Sequence, residues 1–260
     1  MAEDKEKEIF METGKRSAPQ QSGGIMTQGS KDARKAGMLY LAFIITCMFA
    51  GIVRMRLLAL EDAAKTAGLL LNAWSLLRIG VIVDLLSAVL FLLAAWGLYV
   101  LLKPVSKDLA LLFLLLNAAG VALQCFSLLN LYAPLLIQRS TDMQRAFLPG
   151  QLDALNLLFF NLHKSGFTMA QIFYGVWLLP LGLLVYKSGF LPKWLGVLLI
   201  ADCFGVLITF FQFFLLPDLD VISYPGYAVG LIAEFSLSLW LIFKGVKNQE
   251  PAAVQEGQTA

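Results

Sequence analysis

The 260-residue chain is 58% apolar and 15% charged, with a mean hydropathy of +0.73, which excludes a soluble globular domain and makes lipid the solvent over most of its length. A net charge of +2, with Lys and Arg gathered at the ends of apolar runs, excludes the continuous basic face that nucleic acid requires. Cys47, Cys125 and Cys203 lie singly inside apolar runs without a CxxC spacing, so they read as packing residues and not as disulfides or metal ligands.

Residues 1–35 are polar, mixed in charge and rich in Gly, Ser and Gln, a composition with too little apolar material to fold alone. They are expected to form a disordered cytoplasmic tail, as are residues 248–260. No signal peptide is expected, because the first apolar run begins late and follows acidic residues.

Between them, residues 36–247 carry six apolar runs, at about 36–54, 79–102, 108–132, 165–187, 193–216 and 224–244. Each is long enough to cross roughly 30 Å of hydrocarbon as a helix. A helix satisfies its own backbone polar groups, and the alternation of a barrel strand is absent. The expected fold is therefore an all-α polytopic bundle of six transmembrane helices. Two connections, "RMRLLALEDAAKTAGLLLNAWSLLR" and "PLLIQRSTDMQRAFLPGQLDALNLLFFNLHK", combine helical apolar spacing with charge, and short extracytoplasmic helices are expected there. A seventh span over 148–163 would bury Asp153.

Counting Lys and Arg in the short flanks places both termini in the cytoplasm, with Lys103, Lys107, Lys187, Lys193 and Lys244 inside and Arg54, Arg56, Lys65, Arg139 and Arg145 outside. In "YKSGFLPKW", Gly189 suits a helix end with positive φ and Pro192 the first turn of the next helix, so a tight hairpin is expected there.

Ionisable groups in hydrocarbon are expensive and usually face protein or water. Asp84, Asp202 and Glu234 fall inside spans, and helical spacing gives them company. Gly226, Gly230, Glu234 and Ser238 share one face, as do Asp202, Gly205, Thr209 and Gln212. Asn117, Gly120, Gln124 and Ser127 form a third stripe, and Thr168, Gln171, Gly175 and Gly182 a fourth. The expectation is a polar cavity opening outward, with Arg54, Arg78, Asp84, Gln124, His163, Gln171, Asp202 and Glu234 as candidate ligand-binding or proton-relay residues. The alternative is that these groups only pair across helices, which such stripes also permit. Arg78 and Asp84, six residues apart, point about 120° away from each other and need separate partners. For Asp84 the candidates are Arg54, Arg56 or a polar group of another helix.

His163, in "NLHKSGF", is the only histidine. Without a second His, an HExxH or an acid at ligand spacing it makes no zinc site, and GxSxG, Walker and GxGxxG motifs are absent. No cofactor is expected. As a residue at the membrane boundary His163 reads as interfacial; as a general base it would need an acid and a cavity within reach.

The stretch "NLHKSGFTMAQIFYGVWLLPLGLLVYKSGFLPKWLGVLL", together with "AGMLYLAFIITCMFAGIVR", "LRIGVIVDLLSAVLFLLAAWGLYVLLKPVSKDLALL" and "AEFSLSLWLIFKGVK", resembles the prokaryotic multi-pass membrane family known as domain of unknown function 4386, over residues 36–247. The resemblance implies a bundle in a bacterial or archaeal cell membrane and carries over no catalytic residue. Three functions fit these features. One is binding or transport of a small molecule through the cavity; the others are an embedded enzyme using His163, and a structural or regulatory membrane subunit.

Overall fold

A computed structural model describes residues 28–57, 62–70 and 73–246. The tail expected over 1–35 falls outside these residues up to position 27, and its last eight residues are helical. The segment 248–260 lies wholly outside them.

Among the described residues there are helices and no strands. The long helices are α1 (Gln28–Leu57), α3 (Trp74–Leu102), α4 (Lys107–Arg139), α6 (Pro149–Lys187), α7 (Lys193–Leu215) and α8 (Tyr224–Phe243). All six, the last counted with the 3-10 turn Asp220–Ser223 that precedes it, are long and apolar enough to cross a membrane. Two short helices, α2 (Ala63–Leu70) and α5 (Thr141–Ala146), occupy the two expected connections. Local chemistry starts them, with Asp62 accepting the Lys65 N–H at 2.9 Å and Ser140 Oγ accepting the Met143 N–H at 3.2 Å.

The second of these connections is mostly not a loop. Residues 149–163 continue directly into the fourth span, so α6 has 39 residues, about 58 Å at 1.5 Å per residue. Its partner α4 has 33. Both exceed a bilayer core of roughly 30 Å and pack on each other more extensively than any other pair. Asp153 therefore needs no place in lipid, because its turn belongs to the extension. In the hairpin between α6 and α7, Gly189 adopts φ +72°, the left-handed conformation open to glycine without strain. Ser188 Oγ accepts the Leu191 N–H at 3.2 Å. Pro192 caps α7 from just outside it instead of occupying its first turn.

Each long helix packs against its successor, and α8 returns to α1. The six form a closed ring. Gly245 lies against Ser30, so the two described ends meet at one end of the bundle, here the near end. Outward-facing positions are apolar: Ile82, Val89 and Trp96, seven residues apart on α3, are each more than half exposed, whereas Asp84 is 2% exposed.

The interior is filled unevenly. At mid-height Phe43 and Phe91 stack at 3.9 Å between centroids, and Trp177 meets Phe91 edge-on at 5.0 Å. Towards the far end, Val53, Leu57, Leu77, Leu131 and Phe160 make a second apolar cluster among α1, α3, α4 and α6, with Leu70 of α2 packed into it. That cluster plugs one half of the ring. Among the described residues no such plug lies between α6, α7 and α8.

Candidate functional site

In the unplugged half a cavity of about 610 Å³ runs from the exposed residues Asp220 and Tyr224 at the far end down to Asp202 and Glu234 at mid-height. Two of the four polar stripes line it. Asp202, Gly205, Thr209 and Gln212 all face it from α7, and Gly226, Gly230 and Glu234 face it from α8, whereas Ser238 is buried below and bonds back to the Phe235 carbonyl at 2.9 Å.

The other two stripes divide. From α6, Thr168 and Gln171 reach the cavity. Gly175 instead receives Leu207, and Gly182 lies against the backbone of Gly196. From α4 only Gln124 reaches it. Its Oε1 accepts the Tyr174 hydroxyl at 2.6 Å, and the Tyr174 ring packs against Gly120. A β-carbon at Gly120 would lie 2.5 Å from the Tyr174 ring. Gly120→Ala should therefore displace the ring and cost about 1–3 kcal/mol of stability, read as a lower midpoint of thermal unfolding in detergent. An unchanged midpoint would show that this wall is soft.

Helix crossing sets the floor. Gly205 and Gly226 bring the backbones of α7 and α8 into contact, as small residues permit in membrane helices. One turn further along α8, Gly230 presses its backbone against the Asp202 carboxyl, where a β-carbon would sit 2.6 Å from Oδ1. Asp202 is 1% exposed and neither of its carboxyl oxygens has a hydrogen-bond partner. Glu234, the next residue along the stripe, is close enough to feel the Asp202 charge and lies beside the Tyr40 hydroxyl of α1, which does not close a hydrogen bond. Glu234 remains partly accessible because one side of it faces the cavity. At the far end, Gln212 ties down the rim: its Nε2 donates to Asp220 Oδ1 at 3.1 Å and its Oε1 accepts from Ser223 at 3.2 Å.

A second polar centre stands apart. Arg54 and Asp84 form an ion pair between α1 and α3, which settles the choice between Arg54 and Arg56 as the partner of Asp84. Neither lines the cavity, so the charge of each is spent on the other. The Arg54 guanidinium lies 5.7 Å from the ring centroid of Phe167, and Phe167 is part of the cavity wall. Arg78, in the first turns of α3, joins neither centre.

His163 does not line the cavity. It is 3% exposed, midway along α6 and packed on Ser127 of α4. The Ser127 hydroxyl donates to the His163 carbonyl at 2.8 Å, leaving the Nδ1 hydrogen for the Ser127 carbonyl at 3.2 Å or Oγ at 3.1 Å. The ring is thus enclosed between α4 and α6 and hydrogen-bonded there. The general-base reading lacks both of its requirements, since the ring has no hydrogen bond to an acid and does not line the cavity. Gly166, one turn on, lets α4 approach this closely.

Of the eight candidates the structure gathers Gln124, Gln171, Asp202 and Glu234 at one cavity, pairs Arg54 with Asp84, and leaves His163 and Arg78 outside. The sequence reading passed over Tyr40, Lys164 and the aromatic walls. Tyr40 is one aromatic in an apolar run, and only its contact with Glu234 distinguishes it. Among the described residues no group of three His, Cys, Asp or Glu is placed to hold a metal ion.

Six apolar helices closed in a ring around a polar-floored cavity define a multi-pass α-helical membrane protein. The family model described as Domain of unknown function (DUF4386) matches residues 35–245, and the chain belongs to that family. A protein of Archaeoglobus fulgidus described as an uncharacterized protein is 29% identical over 170 residues, covering 64% of this chain and 83% of its own. No solved structure matches.

Proposed function

We propose that this protein binds a small molecule in the cavity walled chiefly by α6, α7 and α8, as a transporter or receptor of the cell membrane, with its termini cytoplasmic and the cavity facing outward. The observation that supports this is a buried carboxyl, Asp202, left without a hydrogen-bond partner at the floor of a cavity of about 610 Å³. Helix pairing alone supplies no reason for that, because a buried polar group without a partner is costly. The volume lies within the roughly 300–1,000 Å³ of small-molecule sites. The Lys and Arg bias of the flanks supports the orientation.

The test is chemical access and its protection. In a chain whose three cysteines are replaced by Ala, Gln171→Cys places a thiol in the cavity wall, while Met169→Cys places one on the apolar outer face, where Met169 is 50% exposed. A water-borne maleimide should modify position 171 at least tenfold faster than position 169. Compounds from a panel of metabolites should slow the first reaction and not the second. Equal rates at the two positions, or a rate at 171 that nothing in the panel alters, would remove the basis for a binding site.

A further inference from the structure

We infer that the cavity takes an organic ammonium ion, a primary or quaternary amine on an aromatic or alkyl body, with its charged end at Glu234 and the enclosed Asp202 carboxyl close behind; this rests on the cavity being a binding site. The floor carries two acids on adjacent helices, and neither forms an ion pair among the described residues. Asp202 is fully enclosed with both oxygens unpartnered. In surroundings of low polarity such a group is ionised only with a positive charge beside it and otherwise holds its proton. The protein does not provide that charge there. Arg54 is committed to Asp84, and Lys164 lies up the wall with its ammonium 5.4 Å from the centre of the Phe213 ring. Any cation that pairs with an ionised carboxyl here has to arrive through the cavity.

Size and wall chemistry select the kind of cation. At about 30 Å³ per water, 610 Å³ holds about twenty waters, so an inorganic ion would leave most of the space unused. Two carboxyls without a third ligating group also make a poor metal site. The cavity walls include Phe43, Phe91, Tyr174 and Trp177. Aromatic surface of this kind attracts an ammonium through the ring quadrupole and covers an apolar body. An anion of the same size would meet two acids at the floor.

The test uses the full chain in phosphatidylcholine nanodiscs, with empty nanodiscs as the blank. Three probes share one body and differ in charge: phenethylamine (cation), 2-phenylethanol (neutral) and phenylacetate (anion). Equilibrium dialysis should show saturable binding of phenethylamine at least tenfold tighter than that of either other probe. Asp202→Asn and Glu234→Gln should each weaken it at least tenfold, and Glu234→Asp, which keeps the charge, should weaken it less than Glu234→Gln. The charge series on the unmodified chain holds even if a variant does not fold. Saturable binding of phenylacetate or 2-phenylethanol as tight as that of the amine would overturn the cation inference and leave the binding site standing. Amine binding unchanged in both neutral variants, or no saturable amine binding at all, would also overturn it, whereas failure of the access test at position 171 would remove the binding site itself.

Discussion

Arg54→Leu is expected to destabilise the protein by about 3–5 kcal/mol, the cost of leaving one partner of a buried ion pair uncompensated. The expected effect is asymmetric. Asp84 is 2% exposed and Arg54 19%, so a lone carboxylate at 84 is sealed among helices, while a lone guanidinium at 54 keeps some access to water and the face of Phe167. Asp84→Asn should therefore cost less than Arg54→Leu. The double variant should recover much of the loss, because removing both charges leaves nothing to compensate. Denaturant titration of the purified protein in detergent measures all three. Additive losses in the double variant, or an Arg54→Leu protein as stable as the parent, would mean that the pair is not closed in the membrane.

The second large effect belongs to the crossing of α7 and α8. A β-carbon at Gly226 would lie 2.8 Å from the Gly205 carbonyl oxygen and 3.0 Å from its Cα, and both are backbone atoms that no rotamer change can move aside. Gly226→Ala should cost about 1–3 kcal/mol and Gly226→Leu more. The consequence reaches the site, since the same crossing holds Gly230 against Asp202. Gly68 supplies the control: it lies in α2 with nothing within 4 Å of a β-carbon, so Gly68→Ala should be neutral or stabilising by up to about 1 kcal/mol. If the two alanine variants unfold at the same temperature, the helices do not cross at Gly226.

The sequence by itself determined the medium, the helices and their number. A run of about twenty apolar residues identifies a span whatever its neighbours, because hydrocarbon rejects any other backbone arrangement. Helical phase also determined which face of each span turns from lipid: the stripe of Asp202, Gly205, Thr209 and Gln212 lies whole in the cavity wall. What phase leaves undetermined is whether the space before that face is filled or open. Ser127 and Gln124 share one stripe, yet the first meets His163 and the second the cavity, a difference set by the side chain that each facing helix presents.

Three further outcomes needed the tertiary structure for related reasons. The segment 149–163 is amphipathic and charged, so its length within α6 depended on α4 being long enough to support it. Asp84 had two arginines in reach by sequence, and the turn of α1 that faces α3 selected Arg54. His163 stands outside the fourth long helix only while that helix is taken to begin after it, and the helix begins at Pro149. Apolar composition fixes where a helix meets lipid, whereas the pairing of polar groups is decided by contacts between residues far apart in the chain, such as the 36 positions that separate Ser127 from His163.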